Sequence, residues 1–193
     1  ADITEFVGKN SEEIKIQFTD NGVEAIWALS KPTIAMVDGF ALGGGCEVAC
    51  SCDIRIASNR SKFGTPEINL GLIPGYGATQ RLMKLLGYGK TMELGMTGEM
   101  VDAEEAYRIG LVNHVVSPDE LLEVTMNMAK IISSKSSNTL AVAKSTIRTS
   151  LEVGLEEGVA IEADAFAGLF DSEDKEIGVQ AFLNRETPQW KHK

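Results

Sequence analysis

Short apolar runs separated by turn residues fill the first half of the chain, which predicts strands alternating with short helices. Residues 33–37 are continuously apolar, a pattern typical of a strand covered on both faces. Residues 53–57 alternate like a half-exposed strand, and residues 62–64 form a further short one. Between these runs, the glycines at 43–45 precede a helix-compatible stretch at 48–52. The order strand, glycine turn, helix, strand predicts an α/β fold.

Helical periodicity also appears near the start and in the middle of the chain. Residues 11–29 carry apolar positions at roughly helical intervals and predict a helix, although Asn21-Gly22 interrupts it. Capping and breaking residues predict three more elements: an amphipathic helix at 79–86 stopped by Gly87, a helix begun by Asp102 and ended by Gly110, and a last strand at 111–116.

The last third of the chain is helical in pattern almost throughout. Pro118 suits the first position of a long helix to about residue 133, and further helices are predicted at 138–153, 155–170 and 172–185. Each carries an apolar stripe that must be buried against the body or another subunit, as in Leu155, Val159, Ala163, Phe166 and Phe170. The change of pattern divides the chain into a core at 1–117 and a helical region at 118–193.

The composition excludes several classes of protein. Hydrophobic residues at 44% and charged residues at 24% are typical of a folded domain with its own core. Eighteen Lys and Arg against 28 Asp and Glu give a net charge of −10, which repels nucleic acid. No stretch approaches the ~20 apolar residues that span a bilayer, and the first residues lack a signal-peptide pattern. We therefore expect a cytoplasmic protein without nucleic-acid or membrane partners.

The cysteines and histidines offer weak candidates for chemistry. Cys46, Cys50 and Cys52 lie close together, but their odd count argues against a disulfide framework, and no second ligand pair or nearby His supports a metal. We expect small buried thiols and no metal site. His114 begins an H-x4-D pattern of some acyltransferases, but the pattern spans a strand end and a helix start; His192 is expected to be a solvated tail residue.

The glycines at 43–45 are the most informative short stretch. They place bare amides at a helix N-terminus, which attracts negative charge, although a glycine turn used for tight packing is the alternative. Glu47 follows them directly, and Glu67 comes twenty residues later, after Pro66. If the two carboxylates meet, one removes a proton from water while the other delivers one to carbon. The alternative is that each is only solvated or capping.

Three longer segments carry a family resemblance. They are KPTIAMVDGFALGGGCE at residues 31–47, CDIRIA at 52–57 and FGTPEINLGLIPGYGATQRL at 63–82. Together they strongly resemble the crotonase family, and within it the enoyl-CoA hydratases. The likeness continues through residues 110–113 and the C-terminal helices, so it covers essentially the whole chain.

The resemblance implies a crotonase-type spiral of ββα units with a C-terminal helical region that forms trimers, often paired into hexamers. It implies two backbone N–H donors for the thioester oxygen, with Gly44 matching one and Ala1 the other. Ala1, Asp2 and Ile3 match a substrate-binding segment of the family. Glu47 and Glu67 match the two glutamates that add water across the C2=C3 bond, a pair that favours hydration over isomerisation.

The resemblance also implies how coenzyme A is bound. Phe166, Phe182 and Arg185 match C-terminal positions that close the coenzyme A site, partly from a neighbouring subunit, and Arg185 keeps the charge needed for a phosphate. Coenzyme A is part of the substrate, and neither a metal nor another cofactor is expected. The alternatives are an enoyl-CoA isomerase or other crotonase-type enzyme, or a non-catalytic binding or assembly module.

Some positions depart from the family pattern. Thr4 replaces a frequent lysine and Thr65 a frequent glutamine, which bears on nucleotide affinity and acyl preference. Whole members of the family carry further residues upstream of the position that Ala1 matches. We therefore expect this chain to lack an N-terminal part and, in isolation, to be weakly active or inactive.

Overall fold

The computed structural model describes residues 2–18 and 21–193. Within it the chain forms two compact units. One unit comprises residues 1–29 and 33–125, and the other comprises residues 30–32 and 126–193.

The first unit mixes short strands and helices. Its helices are α1 Ser11–Phe18, α2 Gly22–Ala28, α3 Gly44–Ser51, α4 Ala78–Leu86, α5 Tyr88–Thr97 and α6 Ala103–Arg108. Its strands are β1 Ile34–Val37, β2 Phe40–Leu42, β3 Ile54–Ser58, β4 Lys62–Gly64, β5 Val101–Asp102 and β6 His114–Val116. Two 3-10 helices, Ile3–Phe6 and Pro66–Leu70, complete it.

The strands form two three-stranded sheets. In the first, β3 pairs in parallel with both β1 and β6. In the second, β4 pairs in parallel with β2 and antiparallel with β5. The pairs β1–β2 and β3–β4 each place one strand in each sheet, and a helical segment follows each pair, as expected of the predicted ββα units. The third pair differs, because β5 joins β4 in the second sheet and α6 separates it from β6.

Two strand predictions differ from the structure in their burial. The half-exposed pattern expected at 53–57 is wrong, because β3 is the central strand of its sheet and is buried from Arg55 to Ser58. The cost of burying the Arg55 guanidinium is offset, because it donates hydrogen bonds to the carbonyls of Leu111 and Cys52, at 2.6 and 2.7 Å. The full coverage expected at 33–37 is also wrong, since Met36 remains 48% exposed.

The single helix predicted over 11–29 is two helices. Helix α1 ends at Phe18 and α2 begins at Gly22. Asn21 caps α2 by accepting a hydrogen bond from the Glu24 N–H at 2.8 Å, which is the role that Asn prefers over a helix interior. Helix α3 also begins earlier than expected, since it includes two of the glycines.

The core of the first unit is built where the sheets and helices meet. Phe63 of β4 is fully buried and packs in one cluster with residues of α3, α4 and α6. The other buried members are Ala41, Cys46, Cys50, Ala57, Ala78, Leu82, Ala106, Leu111 and Val112.

The second unit is helical, as predicted. Helix α7, Pro118–Ser133, runs into it from the first unit, followed by α8 Ser137–Thr149, α9 Leu155–Gly168, a 3-10 helix Leu169–Asp171 and α10 Glu173–Asn184. The stripe on α9 is exposed in this chain, with Leu155 at 86% and Phe166 at 64%. Among the described residues, none of the helices has the length and hydropathy required to cross a bilayer.

The C-terminal tail is held against the second unit. Trp190 Nε1 donates to the Ser134 carbonyl at 2.7 Å, and the His192 N–H donates to the Asp174 carboxylate at 3.0 Å. His192 Nδ1 accepts from the Ser137 N–H at 3.1 Å. His192 is exposed in the tail, as expected, and its ring in addition completes the N-terminus of α8.

Candidate active site

The glycine turn between β2 and α3 brings two strand ends together. Leu42 of β2 pairs with Gly64 of β4, and the next N–H, that of Gly43, donates to the Gly64 carbonyl at 3.0 Å. Because the pairing is parallel, the segments that follow β2 and β4 leave the sheet at the same edge. The residues after β2 and those after β4, including Glu47 and Glu67, are therefore neighbours.

Helix α3 begins directly at this edge. Gly43 is its N-cap, with φ +52° and without a side-chain cap, so the first-turn N–H groups depend on other acceptors. Gly44 is the first helical residue, and apart from its chain neighbours and the backbone of its own helix, no described atom lies within 4 Å of where its Cβ would be. An amide at a helix N-terminus beside open space suits an oxygen that acquires negative charge.

Glu47 occupies the first turn of α3 and is 1% exposed. Its Oε1 accepts hydrogen bonds from the N–H groups of Tyr76 and Ala78, at 2.7 and 3.0 Å. These two amides flank Gly77, whose φ of +99° curls the loop around the carboxylate. Two donors saturate Oε1 as an acceptor, so Glu47 can exchange a proton only through its other oxygen.

Glu67 lies in the 3-10 helix that follows β4 and is half-buried. Its Oε2 is inaccessible to solvent and lacks a hydrogen-bond partner among the described residues. Burial raises the pKa of Glu67 above its usual value, and the negative charge of Glu47 raises it further. A carboxyl group with an unpaired oxygen and a raised pKa is suited to carry and deliver a proton.

The three groups form one constellation. Glu67 reaches the turn at Gly43, Gly44 opens the helix, and Glu47 lies one turn further along it. One carboxylate is anchored by backbone amides, the other keeps one oxygen without a hydrogen-bond partner among the described residues, and an N–H lies beside them. This arrangement can catalyse proton transfer to and from a substrate whose oxygen becomes negative.

The other predicted site residues are not gathered at this edge by any described contact. Ala1 lies outside the described residues. The Asp2 carboxylate accepts from the Thr4 N–H at 2.9 Å, so it caps the first 3-10 helix, and Ile3 is 49% exposed. Their part in substrate binding stays a prediction.

Phe166, Phe182 and Arg185 belong to the second unit and are exposed. Phe166 contacts Phe170 edge to face, with ring centroids 5.2 Å apart. Arg185 adopts φ +59° as the left-handed residue that ends α10. Their contact with coenzyme A stays a prediction.

The other residues that the sequence offered as candidates for chemistry are the cysteines and His114. Cys46 and Cys50 are buried free thiols, and Cys52 is half-buried. Across residues 2–18 and 21–193, His, Cys, Asp and Glu side chains form no group of three or more that could hold a metal ion. His114 is exposed in β6.

Arg81 was not identified from the sequence, although it supports the loop that binds Glu47. Its Nη1 donates to the Tyr76 carbonyl at 2.7 Å. The available signal was the segment Gly75-x-Gly77 followed by an arginine on the first turn of a helix. Glycine pairs with that spacing indicate a curled loop, but they do not indicate what the loop encloses.

Comparisons with known proteins identify the family. The model of the enoyl-CoA hydratase/isomerase family matches residues 1–193. The chain is 45% identical to a protein of Rhizobium meliloti named "Probable enoyl-CoA hydratase" over 193 residues, all of this chain and 75% of that protein. It is 46% identical to the "Crotonyl-CoA hydratase" of Syntrophomonas wolfei over 160 residues, 83% of this chain and 62% of that protein.

A solved structure agrees with these relatives. The enoyl-CoA hydratase of Bacillus anthracis superposes with a TM-score of 0.92 at 37% identity, covering 100% of this chain and 76% of the other. The chain therefore spans between about three fifths and three quarters of the length of these relatives. With a family model matched from end to end and this likeness in fold, the chain belongs to the enoyl-CoA hydratase/isomerase family.

Proposed function

We propose that this chain is an enoyl-CoA hydratase, a hydro-lyase that adds water across the C2=C3 bond of a trans-2-enoyl-CoA to give a 3-hydroxyacyl-CoA. The observation that carries the proposal is the meeting of Glu47 and Glu67 beside the N-terminus of α3. The hydratase names of relatives at 45 and 46% identity support it, and the substrate is an acyl-CoA.

Glu47 is the base in this proposal. Its Oε1 is held by two amides, so the carboxylate keeps one orientation and presents Oε2 to a water molecule. As Glu47 takes a proton from that water, the oxygen of the water bonds to C3. The π electrons of C2=C3 move toward C1, and the thioester oxygen becomes negative.

Glu67 is the acid. Its raised pKa keeps a larger share of the group protonated than in an exposed glutamate, so it delivers a proton to C2 as the thioester carbonyl reforms. Both groups return to their starting states when Glu47 gives its extra proton to water and Glu67 takes one proton from water. The sum is one water added to the alkene.

The negative thioester oxygen is stabilised by backbone amides in this proposal. The N–H of Gly44 supplies one hydrogen bond at the first position of α3, where the helix dipole adds to it. Ala1 supplies the second donor. Losing one such donor costs about 10²–10³ in rate.

The remaining features extend the proposal to the whole protein. Phe166, Phe182 and Arg185 bind coenzyme A, partly from a neighbouring subunit. Coenzyme A is the only carrier that the proposed reaction requires, and the reaction uses neither a metal nor a redox cofactor. The exposed apolar stripe on α9 supports assembly into a homotrimer or a hexamer of two trimers. We place the enzyme in the cytoplasm. Sedimentation equilibrium tests the assembly, and a monomer at all concentrations would contradict it.

Hydration of crotonyl-CoA, followed as loss of the absorbance of the conjugated thioester, tests the function. Glu47→Gln and Glu67→Gln each keep size and shape while removing the proton-transfer group, and each is expected to lower kcat by about 10²-fold or more. Glu104→Gln, at an exposed position of α6, is the matched control and is expected to keep the wild-type rate.

The outcomes separate the candidate activities. Loss of hydration in both variants supports a hydratase. Loss in only one, together with movement of a double bond in 3-enoyl-CoA, identifies an isomerase instead. The assays use the full-length protein, because this chain alone is expected to be weakly active or inactive. Binding of acyl-CoA without turnover in that wild-type protein identifies a non-catalytic module.

A further inference from the structure

The loop that binds Glu47 is held on its outer side by one arginine. Arg81 lies in the first turn of α4, and its side chain folds back toward the start of its own helix. Nη1 donates to the Tyr76 carbonyl at 2.7 Å. This carbonyl belongs to the peptide between Tyr76 and Gly77, which lies between the two amides that donate to Glu47.

The guanidinium also packs against the loop backbone. A Cβ added to Gly77 would lie 3.1 Å from Arg81 Cζ and closer still to Nη1. Gly77 thus leaves room for the arginine as well as allowing the left-handed φ of +99°. The loop is enclosed between the Glu47 carboxylate on one side and the Arg81 guanidinium on the other.

Helix α2 fixes the far side of the arginine. Arg81 Nη2 pairs with Glu24 Oε1 at 2.7 Å, and Cζ lies 4.8 Å from the centroid of the Trp27 ring. The Arg81 side chain is only 11% exposed. A planar guanidinium can satisfy the carbonyl, the carboxylate and the ring together, which the point charge of lysine cannot do.

We infer that Arg81 is a positioning residue for the reaction: it orients the Tyr76–Gly77–Ala78 loop so that both loop amides hold Glu47 for proton transfer. This inference rests on the proposed role of Glu47 as the base. Arg81 reaches Glu47 only through the loop, so its loss is expected to affect the chemical step more than substrate binding. Small displacements of a catalytic group cost up to about 10²-fold in rate.

Steady-state kinetics of crotonyl-CoA hydration test this inference. Arg81→Met is expected to lower kcat about tenfold or more and to leave KM within about threefold. Arg81→Lys, which keeps the charge without the fork, is expected to recover only part of kcat. Arg108→Met is the matched control, because it removes the same charge from an exposed arginine that pairs with the half-buried Glu105, and it is expected to keep the wild-type kcat.

A double-mutant cycle distinguishes positioning from a general loss of structure. If Arg81 acts through Glu47, Arg81→Met has no further effect on kcat once Glu47→Gln is present. Multiplying effects of the two substitutions would overturn the inference. A fully active Glu47→Gln would instead overturn the proposed function, and the two failures are therefore distinct.

Amide hydrogen exchange provides a readout that does not depend on activity. In Arg81→Met the Tyr76 and Ala78 amides are expected to exchange about tenfold faster, while the amides of β3 keep their rates. Unchanged exchange at both loop amides would overturn the inference. Should Arg81→Met fail to fold, Glu24→Gln releases only the outer end of the arginine, and the same two amides are expected to exchange faster, by a smaller factor.

Discussion

Glu67 lies directly against Gly43: a Cβ added to the glycine would come within 2.9 Å of Glu67 Oε1. Real Cβ atoms essentially never lie so close to an oxygen to which they are not bonded, so a side chain at position 43 would require the Glu67 carboxyl group to shift. Gly43 also has φ +52°, a left-handed backbone conformation that is a second reason for glycine at this position. The acid of the proposed reaction therefore depends on a turn residue from another strand end.

Gly43→Ala is expected to lower hydration of crotonyl-CoA by displacing Glu67, as well as lowering stability through backbone strain. The matched control is Gly39→Ala, because Gly39 has φ +101° but no described atom within 4 Å of its added Cβ. Strain alone costs roughly 1–2 kcal/mol in either variant. Thermal unfolding and kcat measure the two effects. Equal kcat in the two variants would show that contact with Glu67 does not matter.

The buried carboxyl of Glu67 predicts a pH-dependent stability. Its pKa is higher in the folded chain than in the unfolded chain, so its contribution to stability is complete below the unfolded pKa and declines as pH rises through the folded pKa. Glu67→Gln stays neutral at every pH. The variant is therefore expected to gain free energy of unfolding relative to wild type as pH rises from acidic to neutral.

Denaturant unfolding of Glu67→Gln and wild type at matched pH values measures this difference. The control is Glu5→Gln, an exposed position at which no such trend is expected. A constant difference between Glu67→Gln and wild type across the pH range would contradict the predicted burial cost of the charge.

Phe63 and Phe40 provide a paired test of the core. Both lie in the sheet of β2 and β4, but Phe63 is fully buried whereas Phe40 is 72% exposed. Phe63→Ala is expected to lower the free energy of unfolding by about 3–5 kcal/mol, because it leaves a cavity among packed residues. Phe40→Ala is expected to change it by no more than about 0.5 kcal/mol. Denaturant titration compares them, and a similar loss in both would contradict the assigned burial.

Asp174 is expected to hold the C-terminal tail in place. It is 1% exposed, and its carboxylate accepts from the N–H groups of Lys191 and His192, at 2.7 and 3.0 Å. Burial acts to raise the pKa of Asp174, but hydrogen bonds from Ser136 and the two tail amides outweigh it and lower the pKa. The tail therefore depends on an ionised acceptor.

Asp174→Ala is expected to speed exchange of the Lys191 and His192 amides by about tenfold or more, since two charge-assisted hydrogen bonds are lost. Glu173→Ala is the control, because the Glu173 carboxylate is exposed and pairs with the ammonium group of Lys191 at 2.9 Å, not with a tail amide. Wild-type exchange at both tail amides in Asp174→Ala would show that other contacts, such as that of Trp190 with the Ser134 carbonyl, hold the tail without Asp174.

Local sequence signals predicted most of the elements and the family. Asp102 caps α6 by accepting from the Glu105 N–H at 2.8 Å, Pro118 begins α7, and Gly87 ends α4, all as expected. Such signals act within a few residues, where a single side chain or a restricted φ decides the backbone. The enoyl-CoA hydratase resemblance was likewise carried by contiguous residues, and the comparisons confirm it.

Burial could not be predicted in the same way. The residues of β3 alternate in polarity, which predicts a half-exposed strand. The strand is nevertheless central, because β1 and β6, from other parts of the chain, pair with its two sides. Arg55 is buried where an isolated sequence pattern predicts exposure, and hydrogen bonds to the local carbonyl of Cys52 and to the distant carbonyl of Leu111 make this possible.

The sequence by itself determined which groups are available for chemistry: two carboxylates, a run of glycines and the helices that follow them. Tertiary structure alone decided that these groups meet. The parallel pairing of Leu42 with Gly64 brings residues twenty positions apart to one edge of a sheet, and the Arg81 contact with Tyr76 shapes the loop that holds Glu47. Both depend on hydrogen bonds between separate segments, whose partners are chosen by the packing of the whole unit.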